Sequence, residues 1–98
     1  MKKSEGVMTE EECTLICKAL GDKIRTDIVY LIKEKGEICA RDILEHFQIA
    51  QPTLSYHMKA LCECKIVDAR KEGLWSYYSI DCDRLREWLE FLNVAFLK

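Results

Sequence analysis

QPTLSYHMKAL, running from Gln51 to Leu61, decides the fold. Its proline, the single one in the chain, stands at Pro52, where a new helix loses nothing from a missing N–H. Leu54, Met58, Leu61 and Cys62 recur at helical spacing and make one apolar stripe. Gln51, Thr53, Ser55, Tyr56, His57 and Lys59 fall outside that stripe, and most crowd the helix start. Upstream, Ala40 to Phe47 reads as a short helix with Ile43, Leu44 and Phe47 inward, and Gln48-Ile49-Ala50 as a tight turn. Residues 40–64 therefore predict a helix-turn-helix, the arrangement that sets its second helix into a major groove. Downstream, two β-like runs, Ile66 to Lys71 and Trp75 to Ile80, flank Glu72-Gly73-Leu74, so residues 66–80 predict a hairpin, or wing.

The same reading extends to both ends. Thr9 and Glu12 are spaced as a capping box ahead of a helix over residues 10–20, which Gly21 closes. Asp22 suits the cap of a second helix carrying Ile24, Ile28, Leu31 and Ile32 on one face, ended by Gly36. Glu37-Ile38 is a short connector able to pair as a strand. A last helix starts after Asp81 or Asp83. Its Leu85, Trp88, Leu89, Phe91, Leu92, Val94, Ala95, Phe96 and Leu97 wrap around the helix instead of forming one stripe. It is either wedged into its own core or packed against a second chain. The chain thus predicts one mainly α domain over residues 1–98 with a small β-hairpin, in the order helix, helix, short strand, helix, helix, strand, strand, helix. Residues 9–20 and 82–98 are expected to form a homodimer.

Composition agrees. In 98 residues, 49% hydrophobic and 33% charged, there is room for one small core and none for a separate substrate domain. The net charge of −2 rules out a generally polycationic nucleic-acid coat but leaves room for a local basic patch. Lys59, Lys65, Arg70 and Lys71 outnumber Glu63, Asp68 and Glu72 over residues 51–79, so the hairpin region is the basic part of an acidic chain. Arg70 and Lys71 stand where a wing would hold a phosphate backbone. A winged helix can also serve as a protein-interaction module. The start, with Lys2 and Lys3 followed by Glu10-Glu11-Glu12, has no apolar leader, and no run is long enough for a membrane span. A cytoplasmic location without membrane contact is the expectation. There the six cysteines suggest soft-metal or redox chemistry more than disulfides. Cys13-x3-Cys17 has a spacing that binds a soft ion and is equally ordinary core spacing. No C-x-x-C and no readable Cys–His pair supports an enzyme.

Lys18-Ala19-Leu20-Gly21-Asp22, QPTLSYHMKAL and RKEGLWSYYSI (Arg70 to Ile80) together resemble the ArsR/SmtB family of winged-helix metalloregulatory repressors, closest to its arsenic-responsive branch. The resemblance implies a homodimer on double-stranded operator DNA. Gln51, Thr53, Ser55, Tyr56, His57 and Lys59 would lie on the recognition helix, and Arg70 and Lys71 on the wing. It implies release by As(III), another thiophilic metal ion, or a reactive sulfur or oxidant acting on cysteine, with no cofactor required. The alternative is a repressor without a small-molecule inducer, controlled by a partner protein. The branch carries Cys-x-Cys at the start of the third helix. Here Cys39 matches the first position and Arg41 replaces the second. Cys62 and Cys64, at the end of the recognition helix, complete the expected ligand set; Cys64 lies near a soft-cation position of another branch. With His46 and His57 the sole histidines, the family's His-rich zinc site on the terminal helices is not expected.

Overall fold

The structure, a computed structural model, describes residues 8–98; Lys2 and Lys3, at the head of the expected 1–98 domain, lie outside the described residues. The described residues form five helices and a small three-stranded sheet: α1 (Glu10–Leu20), α2 (Lys23–Lys35), β1 (Glu37–Cys39), α3 (Ala40–Phe47), α4 (Gln51–Glu63), β2 (Val67–Glu72), β3 (Trp75–Ile80) and α5 (Cys82–Leu97). The capping box at Thr9 forms in both directions: the Glu12 amide donates to Thr9 Oγ1 at 3.1 Å and the Thr9 amide to Glu12 Oε1 at 2.8 Å. Asp22 caps α2, accepting from the Ile24 and Arg25 amides at 2.9 and 3.2 Å. Asp81 caps α5 through the Arg84 amide at 3.0 Å.

The connector after Gly36 does pair. β1 lies antiparallel to β3, with Ile38 opposite Tyr78, and β3 pairs with β2 across the hairpin, giving the order β1-β3-β2. Two boundaries differ slightly from the sequence expectation. α4 begins at Gln51, so Pro52 takes the second helical position, where its amide would also lack an intrahelical partner. The wing strand starts at Val67, one residue later than expected, and Ile66 before it is fully buried.

Ile16, Ile28, Ile32, Ile43, Leu61 and Ile66 are completely buried. Each stabilises the fold by roughly 1.5–3 kcal/mol through removal from water. α4 packs on α1, α2 and β2, while α3 packs on β1 and β3. The outward side of α4 and the wing therefore emerge on one rigid frame. α5 has no buried residue: Leu85, Trp88, Phe91 and Leu92 lean on the core, whereas Leu89, Val94, Phe96 and Leu97 are exposed. The helix is thus not wedged into its own core.

Gly36 sits at φ 81 and ψ −53, a strained region for any residue with a β-carbon. Nothing lies within 4 Å of where that carbon would be, so strain alone decides the cost. Gly36→Ala is expected to destabilise the fold by about 1–2 kcal/mol, read as a lower denaturation midpoint at unchanged slope.

Candidate nucleic-acid interface

The first turn of α4 follows Ala50, which offers no side-chain cap. Its free amides and positive dipole end are open to an anion. Gln51, Thr53, Ser55, Tyr56 and Lys59 are all exposed on this helix. Gln, Ser and Thr can donate and accept at base edges, and Lys supplies a phosphate-seeking charge.

His57 departs from the expectation. It is 6% exposed, turned inward beside Leu54, Met58 and Leu61. Positions 54, 57, 58 and 61 are one continuous helical stripe, so period outweighs polarity here. Its Nδ1 accepts from Arg25 Nε at 3.1 Å. Arg25, itself buried, also places its guanidinium 5.2 Å from the centre of the Tyr56 ring. The Asp22 carboxyl lies close by and is held below the usual carboxylate range, chiefly by the Arg25 amide bond, with the fields of His57 and Arg25 adding to it. His57 is therefore a positioning residue that ties the recognition helix to α2, not a groove contact. Sequence reading missed Arg25 altogether.

The two basic wing residues differ in their freedom. Arg70 makes a forked bond to Glu37, at 3.2 and 3.0 Å, and leans over the Tyr77 ring at 4.8 Å. A further contact reaches Glu72 at 3.5 Å. The Arg70 bond holds the Glu37 carboxyl below its ordinary range. Lys71 is exposed and lines a groove together with Arg41, Gln51, Ser55, Trp75 and Tyr78. Arg41 sits 5.2 Å from the centre of the Trp75 ring, joining α3 to the wing. Arg41 and Trp75 were not among the residues expected to contact DNA. The arginine two positions after Cys39 was the available signal.

The thiols expected as ligands are poorly suited to a common ion. Cys39 is buried at the cap position of α3 and makes no capping bond with its side chain. Cys64 is buried and its thiol donates to the Leu61 carbonyl at 3.4 Å. Burial pushes the Cys62 and Cys64 thiols up, and Cys64 and Asp68 push Cys62 further. Among the described residues, no three His, Cys, Asp or Glu side chains gather as a metal cage. Cys39, Cys62 and Cys64 therefore do not gather as one three-ligand set among the described residues.

Comparison with known proteins gives a consistent picture. The family described as "Bacterial regulatory protein, arsR family" matches residues 22–69. The arsenical resistance operon repressor of Staphylococcus aureus is 41% identical over 87 residues, spanning 89% of this chain and 83% of that protein. Its namesake in Staphylococcus xylosus is 42% identical over 86 residues, spanning 88% and 78%. Among solved structures, the homodimeric winged helix-turn-helix DNA-binding domain Mb0332 of Mycobacterium bovis superposes with a TM-score of 0.70 at 29% identity, covering 87% of this chain and 79% of that one.

Proposed function

This chain belongs to the ArsR family of bacterial regulatory proteins, and on that footing we propose that it works as a homodimer on operator DNA of two-fold symmetry. It is a transcriptional repressor and not an enzyme. The supporting observation is the exposed polar set on α4 beside the wing. Gln51, Thr53, Ser55 and Tyr56 read base edges; Lys59 and Lys71 hold phosphates on either side. Arg70 joins them by trading Glu37 for a phosphate. His57 and Arg25 fix the tilt of α4. The second chain seats on α1 and the open side of α5, where Leu89, Val94, Phe96 and Leu97 are exposed. Two half-sites are then presented together.

Release follows when a thiophilic metalloid or metal ion reacts with cysteine, as the names of the staphylococcal relatives suggest for arsenic. No resident cofactor is needed for repression. The inducer must favour the released conformation over the DNA-bound one, and a coupling of a few kcal/mol suffices. Cys39 stands immediately before α3, at its cap position. The protein is assigned to the cytoplasm; among the described residues, no helix is long and apolar enough to cross a membrane.

A gel shift on the DNA upstream of the protein's own gene tests this. The complex is expected to form at low salt and to weaken steeply and log-linearly as salt rises. Arsenite should release it, with Cd(II), Zn(II) and persulfide run in parallel. Failure to retard that duplex at any salt would overturn the reading.

A further inference from the structure

Five arginines stand in the chain, and four of them have their guanidinium groups tied by hydrogen bonds. Arg25 bonds to His57, Arg70 to Glu37, Arg84 to the Cys64 carbonyl and Arg86 to Asp83. Arg41 is the exception. Among the described residues its guanidinium has no hydrogen-bond or ion-pair partner, only the ring of Trp75 at 5.2 Å. A guanidinium stacks through its face and donates in its plane, so the indole leaves its five N–H donors free.

The surroundings are equally selective. Arg41 and Lys71 line the groove between α3, α4 and the wing, together with Gln51, Ser55 and Ser76. Among the described residues, no carboxylate shares that lining. The groove beside β1, by contrast, carries Glu37 and Asp42, and the one along α5 carries Glu87 and Glu90. In a chain of net charge −2, two cations gathered with hydroxyl and amide groups and no acid make a seat for an anion. β3 pairs with β1 only from Ser79 to Tyr77, so Trp75 belongs to the part of the hairpin whose strand partner is β2 alone. The Arg41–Trp75 contact therefore ties the projecting end of the wing to α3. It also fixes the direction of a long side chain, which then loses less freedom on gripping a ligand.

We infer that this groove seats one phosphodiester of the DNA backbone, gripped by the Arg41 guanidinium through paired N–H bonds, with Trp75 as the residue that positions it. The inference rests on the operator-binding function proposed above. It adds to that function the strand of backbone running between the recognition helix and the wing. Lys71 brings a second charge to the same groove. A phosphate contact lends affinity and register and carries no base information of its own. Lysine is a poor substitute for Arg41, because an ammonium neither lies flat on an indole nor forks onto two oxygens.

The test uses the full chain and the duplex from upstream of its own gene, in gel shifts across a range of salt. Arg41 is exposed, so Arg41→Gln should keep the denaturation midpoint. It should weaken binding roughly 10-fold or more per chain and flatten the salt slope by about one contact per chain. Arg41→Lys should restore the slope but only part of the affinity. Trp75→Leu should weaken binding roughly 2–5-fold per chain through loss of the stacked hold. In the Arg41→Gln background it should cost nothing further, since Trp75 acts through Arg41. Trp75→Phe keeps a ring face and should bind better than Trp75→Leu. Backbone phosphates are then replaced one at a time by neutral methylphosphonates. One position in each half-site should weaken the unaltered protein and leave Arg41→Gln unaffected. The inference is overturned by unchanged affinity and slope in Arg41→Gln, full affinity in Arg41→Lys, or additive losses from Arg41→Gln and Trp75→Leu. It is equally overturned if Trp75→Phe binds no better than Trp75→Leu, or if no phosphate couples to Arg41. In all of these cases the unaltered protein still retards the duplex, and operator binding stands. Failure of the unaltered protein itself to retard it sinks both.

Discussion

Changing Thr53, Ser55 and Lys59 together to alanine will abolish specific DNA retention while leaving a folded protein. All three side chains are exposed on α4, and no side-chain hydrogen bond ties them to the core. Surface changes of this kind usually alter stability by less than about 0.5 kcal/mol. Each well-placed base contact is worth about 1–3 kcal/mol, and loss of a phosphate contact adds to the penalty. The combined effect is a fall of roughly 10²–10⁴ in operator affinity. The gel shift should lose its band, with the circular dichroism melt unchanged. The salt dependence should also flatten by about one contact, since Lys59 is the single cation removed. Retained affinity in the triple variant would mean that α4 does not read the groove. His57→Ala makes a useful contrast. It should weaken DNA binding and lower the melting temperature together, because the Arg25 guanidinium would lose its buried partner.

The second large effect is expected at α5. Leu89 and Phe96 lie seven residues apart, hence on one side of the helix, and are 60% and 75% exposed. Leu85, Trp88 and Leu92, on the adjoining strip of the same helix, pack against the core. Leu89→Glu combined with Phe96→Glu places two carboxylates in the proposed interface without touching that core. Sedimentation should shift from dimer to monomer at micromolar concentration, and helical content should persist. Operator affinity should fall roughly 10²–10⁴-fold, the advantage of engaging two half-sites at once. A double variant that still sediments as a dimer would place the interface elsewhere.

Particular residues show how legible the chain was. Thr9 and Glu12 announced the start of α1, Asp22 and Gly36 bracketed α2, and Ala40 to Phe47 was readable to the residue. The wing was marked by Gly73, whose φ of +62 suits a tight hairpin turn. The exposed polar face of α4 was visible from polarity, with one error: His57 was taken as outward because it is polar, although its spacing from Leu54 and Leu61 put it inside. The thiol sites were harder. Cys39, Cys62 and Cys64 were legible as cysteines flanking α3 and α4, but not the burial of Cys39 and Cys64 or the half-burial of Cys62.

What the linear chain settled was everything governed by neighbours within a turn or two: helix ends, apolar stripes, the hairpin and the polar face of α4. Those features depend on capping, backbone torsion and helical period, which operate over a few residues. Arg25 meeting His57 and Arg70 meeting Glu37 both join residues more than thirty positions apart. Only the packed fold could decide them, because such contacts arise from how helices and sheet are stacked to bury their apolar sides, and no local pattern encodes which polar groups that stacking traps together.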